Sequence, residues 1–335
     1  MVKEKNNSVV VAQIGVGYWG PNLLRNMVSN SQFRVKKVIE KVKGRREFVE
    51  SHYPDILVSE NIKDVMTDPE IDAVVIATPV RTHFELTMRA LQAGKHVLVE
   101  KPMATRLEEV EKIRDAANQR GLVVMVGHTF IFNSAVRYIK DIIDKDELGD
   151  IRYIYSQRVN LGRIRSDVDA MWNLAPHDIS IIQYWLGDPK PLALSRTGMS
   201  YIQKGIDDVV FLTVTYPNNV ISHIHVSWLD PHKIRRMTVV GSKKMAVYDD
   251  MSESKVAIYD KGIEQLAVLG ESMDYDQPVT YQFDHRSGDI LLPKIEWVEP
   301  LQTEIQHYAD CILTGIPCLT GPDHAARVVE ILSQA

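Results

Sequence analysis

Gly15-Val16-Gly17-Tyr18-Trp19-Gly20 directly follows the apolar run Val9–Ile14. In a strand–turn–helix unit the first glycine makes the tight turn and the second lets backbone approach a pyrophosphate. The third lets the helix sit close to the strand. The helix start adds unpaired N–H groups and the positive end of a dipole. The three glycines, Tyr18 and Trp19 are therefore expected to hold a dinucleotide. Glu40 ends the second strand-like run, twenty residues past Gly20. A carboxylate there accepts hydrogen bonds from both ribose hydroxyls. It also repels a 2′-phosphate, so NAD is expected over NADP. Lys41, Lys43, Arg45 and Arg46 follow closely. They either clamp such a phosphate or form the solvated start of a helix.

A second group lies in "QRVNLGRIRSDVDAMWN", Gln157 to Asn173. Arg158, Arg163 and Arg165 are spaced to grip a phosphate or carboxylate on a substrate. The alternative is a solvated loop with ion pairs to Asp167 and Asp169. His223 and His225 alternate with Ser227 on one strand face, which reads as sheet packing, and no metal is expected. Cys311 and Cys318 read as packing residues, because two cysteines cannot make a disulfide framework. Trp185, Trp228 and Trp297 read as core or interface.

The elements that must position these groups follow from periodicity. Strand-like runs at Val9–Ile14, Arg34–Ile39, Ile56–Val58, Ala73–Ala77, His96–Val99 and Leu122–Val126 alternate with helical patterns. Short apolar runs between helices predict a parallel sheet covered on both faces. After Gly127 strands dominate, several alternating in polarity, as in "VISHIHVSW". A helix is expected over Ala175–Leu186, two more near Thr303–Leu313 and His324–Ser333, and a polar, irregular excursion from Gly262 to Lys294. The expected fold class is α/β: an N-terminal doubly wound Rossmann sheet over residues 1–126, then a C-terminal α+β domain over residues 127–335 for substrate binding and oligomerisation. Its sheet should be large, open and mostly antiparallel. The net charge of -5 gives no whole-chain attraction to nucleic acid or an anionic membrane. With a polar start at Met1–Ser8 and no spanning apolar run, a cytoplasmic location is expected.

Further motifs are "ATPVRTHFE" (Ala77 to Glu85), "EKPMA" (Glu100 to Ala104) and "GHTFIFNSAVR" (Gly127 to Arg137). "WNLAPHDISIIQYWLG" (Trp172 to Gly187) and "EPLQTEIQHYADCI" (Glu299 to Ile312) complete the series. With these the chain resembles the glucose-fructose oxidoreductase / inositol dehydrogenase (Gfo/Idh/MocA) family over nearly its whole length. The resemblance implies hydride transfer between nicotinamide and a hydroxyl or carbonyl carbon of a sugar, cyclitol or related small molecule. It also implies dimers or tetramers formed through the sheet face. It places Thr78, Pro79, His83, Glu100 and Lys101 along the cofactor, and brings Lys101 and His177 to the nicotinamide. Asn173 stands where the family often has Asp; an amide can hold substrate or the imidazole but cannot take a proton. Asp178 points elsewhere on the helix.

On this resemblance His177 is the proton acceptor, since its reference pKa of ~6.5 lies near working pH. Lys101, pushed down by burial and by the cationic ring, donates to the reacting oxygen. Asn173 and His177 are expected to touch substrate as well. His83 and His128 either line the cofactor or cap helices. The function implied is an NAD(P)-dependent sugar dehydrogenase, acting on a nucleotide sugar if the arginines grip an anion. "GYWGPN" is also similar to members associated with surface-polysaccharide sugar synthesis. A free-sugar or cyclitol dehydrogenase is the alternative, as is an NAD-dependent glycosidase or lyase of the same fold. A non-catalytic scaffold would not need both Lys101 and His177. Partners are expected to be small molecules and further copies of the chain, as a homodimer or homotetramer, with no nucleic acid and no membrane.

Overall fold

The computed structural model describes residues 8–267 and 281–335. Its first sheet contains β1 (Val9–Ile14), β2 (Phe33–Ile39), β3 (Leu57–Ser59), β4 (Ala73–Ile76), β5 (His96–Glu100) and β6 (Val124–Gly127). The order is β3-β2-β1-β4-β5-β6, and every pairing is parallel. β1 and β4 are buried at every position, so both sheet faces need cover. Helices α1 (Gly20–Ser29), α2 (Lys43–His52), α3 (Lys63–Met66), α4 (His83–Gln92) and α5 (Leu107–Arg120) alternate with these strands. Leu23 and Met27 of α1 pack on one face, while Ala90 of α4 and Val110 and Ile113 of α5 join the other core. Strand order reverses between β1 and β4, which is where a doubly wound sheet opens its binding crevice.

Next come α6 (Ser134–Asp144), β7 (Ile151–Leu161), α7 (Ala170–Leu186), β8 (Ala193–Met199), β9 (Val209–Tyr216), β10 (Val220–Ser227), β11 (Leu229–Gly241) and β12 (Met245–Asp249). β13 (Val256–Ala267) and β14 (Tyr281–Leu291) follow. The eight strands run β14-β13-β12-β11-β7-β10-β9-β8, antiparallel except for β7 beside β10. The expected irregular excursion from Gly262 to Lys294 is corrected. β13 and β14 pair from Ile258–Leu291 to Ala267–Tyr281, and residues 268–280 lie outside the described part. The polarity misled because β14 is a sheet edge, exposed at most described positions, and its ladder needs no apolar face. α7 begins five residues before the expected Ala175. Pro176 suggests a first helical turn, yet Asp169 Oδ1 accepts the Trp172 N–H at 2.8 Å and starts the helix earlier.

On β10, Val220, Ser222, Ile224 and Val226 are buried, while Ile221, His223 and His225 alternate onto the other face. There the His223 ring stacks on Tyr155 and the His225 ring on Phe211, so both histidines pack within the sheet. Tyr153, Phe211 and Ile221 leave large apolar surface exposed on this sheet. Trp185 and Trp228 are buried; Trp297 is 67% exposed.

The chain ends with α8 (Pro300–Thr314) and α9 (Pro322–Gln334). Two compact units result: Met1–Ser134 with Ile179–Pro189 and Trp297–Ala335, and Ala135–Asp178 with Lys190–Glu296. The partition is thus not one cut near residue 126. Leu301, Ile305 and Tyr308 of α8 complete one Rossmann core, and Ala325 and Val329 of α9 the other. Among the described residues no helix is long and apolar enough to cross a membrane.

Candidate active site

Gly15 turns at φ +94°, and a Cβ there would lie 2.6 Å from the Ala77 carbonyl oxygen. A Cβ on Gly20 would lie 2.7 Å from the Gly15 carbonyl oxygen. Gly15 therefore fits the turn onto the end of β4, and Gly20 brings α1 close. At Gly17 the nearest atom to a Cβ is Arg45 Nη1 at 3.7 Å, so the loop has open space above its middle glycine. α1 begins with no side-chain cap and no acidic residue in its first turn, leaving donors for an anion. Tyr18 is 93% exposed, with Trp19 beside it partly so. Glu40 is buried. Its carboxylate accepts the Val16 N–H at 2.7 Å and the Val42 N–H at 2.9 Å. Each oxygen keeps a lone pair, so the group is oriented and still able to accept from ribose hydroxyls. Arg45 Nη1 stands 3.9 Å from it and is half-exposed. The open cradle, the uncapped helix start and the fixed carboxylate fit an NAD-type dinucleotide.

Two more strand ends border the same crevice. After β4, the Thr78 methyl lies 2.9 Å from the Cβ that Gly15 lacks, and the Thr78 and Thr82 hydroxyls hydrogen-bond at 2.7 Å. Pro79 is exposed. His83 is enclosed, one ring nitrogen 2.8 Å from the Pro102 carbonyl and the other 2.8 Å from the Thr78 carbonyl. This corrects the expectation of direct cofactor contact. The ring sits between the loop after β4 and the loop after β5, and in its neutral form the single N–H donates to one of the two carbonyls. Burial lowers the His83 pKa, against the two carbonyls that favour protonation. His128 precedes the short 3-10 helix Thr129–Phe132, and its side chain makes no cap hydrogen bond there. It is buried edge-on against the His324 ring, and burial holds its pKa well down.

Lys101 follows β5, and its N–H donates to the Glu100 carboxylate at 3.2 Å. A Cβ on Gly127 would sit 3.1 Å from that carboxylate, so the bare glycine makes room for it. Burial pushes Glu100 up to about 7, against the pull of the Lys101 charge. Glu304 of α8 is wholly buried. Burial and then the Glu100 charge hold it well above the carboxylate range.

In the second unit, Asn173 and His177 lie one turn apart on α7, both partly buried. The Asn173 amide oxygen accepts the Trp228 indole N–H at 3.3 Å. Arg158 is corrected as an open anion grip. It donates from Nε and Nη2 to Asp178 at 2.8–3.1 Å, both side chains nearly fully buried. Burial works against its charge, but Asp178 outweighs that and raises its pKa. Arg163 is exposed and makes no ion pair among the described residues, while Arg165 forks onto Asp167 at 2.7 and 2.9 Å.

Sequence reasoning missed Gln13 and Glu304. The Gln13 side-chain N–H₂ donates to the carbonyls of Gly15 and Gly20 at 2.8 and 2.9 Å, pinning the glycine turn from within β1. The available signal was a lone amide in "VVVAQI". For Glu304 it was a carboxylate at core spacing between Leu301, Ile305 and Tyr308.

Residues 9–128 match the family profile described as "Oxidoreductase family, NAD-binding Rossmann fold", and residues 136–247 match "GFO/IDH/MocA C-terminal domain". The chain is 26% identical to a Bacillus subtilis scyllo-inositol 2-dehydrogenase (NAD(+)), covering 95% of this chain and 90% of that one. It is 33% identical to a scyllo-inositol 2-dehydrogenase (NADP(+)) of the same organism, over 42% of this chain and 38% of that one. A UDP-N-acetylglucosamine 3-dehydrogenase of Acidithiobacillus ferrooxidans is 28% identical over 58% of this chain and 60% of its own. A solved structure of such an enzyme from that organism has a TM-score of 0.78 at 22% identity, covering 98% and 96% of the two chains, and shows the shared fold.

Proposed function

Because this chain belongs to the GFO/IDH/MocA oxidoreductase family, as its two domain matches show, we propose that it is an NAD-dependent dehydrogenase acting on a hydroxyl of a sugar, in first place a nucleotide sugar. The observation that carries the cofactor half is the buried Glu40 carboxylate, held by the Val16 and Val42 N–H groups beside the open backbone of Gly17. A 2′-phosphate would meet that charge at close range, whereas ribose hydroxyls would donate to it. Arg45 is the residue that could reverse the preference. The relatives include enzymes named for NADP and for NAD.

Bound there, the nicotinamide would take up or return the hydride. The protein's part is the proton and the geometry. Lys101 sits at the end of β5, and His83 braces its loop through Pro102. We assign Lys101 as donor to the reacting oxygen and His177 as the group that takes the proton. Asn173 is assigned to hold substrate; its amide cannot relay a proton. Thr78, Pro79, Tyr18 and Trp19 are assigned to the cofactor's borders. Arg163 and Arg165 remain the candidates for a substrate anion, and Arg158 serves the interior.

The nucleotide-sugar reading rests on those two exposed arginines and on the UDP-N-acetylglucosamine 3-dehydrogenase relative. The inositol dehydrogenase relatives support a free cyclitol as the second reading. The test is NADH production from a panel of UDP-sugars, dTDP-sugars, free sugars and inositols. Turnover confined to nucleotide sugars is expected. Turnover only of cyclitols moves the assignment to the second reading, and turnover without net NADH moves it to bond cleavage by transient oxidation. The exposed Tyr153, Phe211 and Ile221 support oligomers built through the eight-stranded sheet. Light scattering that gives the mass of one 38.1 kDa chain refutes that part.

A further inference from the structure

α8 carries a second set of chemically active groups that the proposed reaction does not use. His307 and Cys311 are four residues apart on α8, so their side chains share one helix face. Cys318 returns to that face from the stretch between α8 and α9. The donor atoms of the three side chains all lie within 4.8 Å of one another, with His307 Nε2 and Cys311 Sγ 3.4 Å apart. A tetrahedral zinc with bonds of about 2.3 Å to sulfur and about 2.0 Å to nitrogen has ligand–ligand edges of roughly 3.5–3.8 Å. The cluster is thus close to the size of such a site before any metal binds.

The local hydrogen bonds also suit a metal. The Leu319 N–H donates to His307 Nε2 at 3.0 Å. That nitrogen is therefore the unprotonated one, which is the tautomer a metal requires, and it lies 3.4 Å from the Cys311 sulfur. The Thr320 backbone N–H reaches the Cys318 sulfur, and N–H donation to a ligand sulfur is a common outer-shell support. The Phe132 ring lies 5.4 Å from the imidazole and Tyr308 packs in the adjoining core. Cys311 is buried, while His307 and Cys318 are partly exposed and leave a path inward.

We propose that His307, Cys311 and Cys318 form a binding site for a thiophilic divalent cation, zinc foremost, with a fourth position left to water or an external ligand. Mixed sulfur and imidazole donors select zinc over magnesium or calcium. Binding releases the two thiol protons and forms two metal–sulfur bonds and one metal–nitrogen bond, with no electron transfer. One lone pair cannot serve two partners, so the Leu319 N–H must leave Nε2 for a thiolate as metal enters. The bound ion would clasp the C-terminal half of α8 to the stretch that leads into α9.

The test uses the full chain, stripped of metal by chelator under a thiol-free reductant and titrated with cobalt(II) as a spectroscopic stand-in for zinc. One equivalent is expected to give sulfur-to-metal charge transfer in the near ultraviolet and tetrahedral bands in the visible. Zinc should displace it and raise the melting temperature. Cys311→Ser and Cys318→Ser should each lose these bands while keeping NADH binding, which shows that the variants fold. Absence of tetrahedral bands in the wild-type chain overturns the proposal, as do bands that persist in the double serine variant. A Cys311–Cys318 disulfide in protein that takes up no metal after reduction also overturns it.

Discussion

The Arg158 guanidinium forks onto the Asp178 carboxylate inside the second unit, with three donor–acceptor distances of 2.8–3.1 Å. Asp178 adjoins His177 on α7, so this ion pair anchors β7 to the turn that presents the histidine. Arg158→Met leaves a buried carboxylate without its partner, which costs about 3–5 kcal/mol. Arg158→Met with Asp178→Leu removes both charges and should recover much of that loss. Urea denaturation of the three proteins checks this. A single variant as stable as wild type would show that the pair is not what holds the turn.

Glu40 is expected to set cofactor choice. Glu40→Ala removes the acceptor for the ribose and for the Val16 N–H, so NADH affinity should fall roughly 10- to 100-fold, the scale of hydrogen bonds to a charged group. NADPH affinity should hold or improve, because Arg45 is freed from the carboxylate 3.9 Å away. Fluorescence titration with both cofactors measures this. Tighter NADPH binding in the wild-type chain would reverse the assignment.

Lys101 and His177 are expected to act as one unit. Lys101→Met or His177→Ala should lower kcat by roughly 10²- to 10⁴-fold, the range for a lost acid–base group. The double variant should be scarcely worse than the poorer single one, since groups acting together are not additive. NADH affinity should barely move. Near-wild-type kcat in both single variants would remove the pair from the mechanism and turn attention to Tyr184.

Glu100 should make stability depend on pH in a defined window. The folded chain keeps its proton up to about pH 7, while the unfolded chain loses it near the ordinary 4.5. Between those values the native state binds more protons, so the stability from this group is present at the acid end and lost as pH rises. Denaturation midpoints should therefore decline from about pH 5 to about pH 8, and Glu100→Gln should flatten that decline. A slope unchanged in Glu100→Gln would assign it to another group, Glu304 first.

Arg163 and Arg165 give the substrate prediction. Changing both to alanine should raise KM for an anionic sugar substrate and leave NADH binding intact. The Arg165–Asp167 pair is too exposed to matter much for stability, so the melting temperature should change little. An unchanged KM on every active substrate returns both arginines to the solvated loop.

The first sheet, the glycine turn and the place of Glu40 at the end of β2 were legible in the sequence, because each is a local pattern. Buried parallel strands read as apolar runs, and Gly15, Gly17 and Glu40 stand at spacings set by one strand–turn–helix unit. The assignment of Lys101 and His177 rests on motifs alone, since a lysine before proline or a histidine on an apolar helix carries no local signal of chemistry. Tertiary structure decided the rest. It put Arg158 in the interior because Asp178, twenty residues away, folds back to pair with it. It turned His83 into a brace because two carbonyls from separate strand ends converge on its ring. It assigned α8 and α9 to the Rossmann unit because the sheet's apolar faces were left uncovered by the first five helices alone. It also gathered His307, Cys311 and Cys318. Pairings of this kind depend on which distant segments share a core, and no periodicity within one segment encodes that.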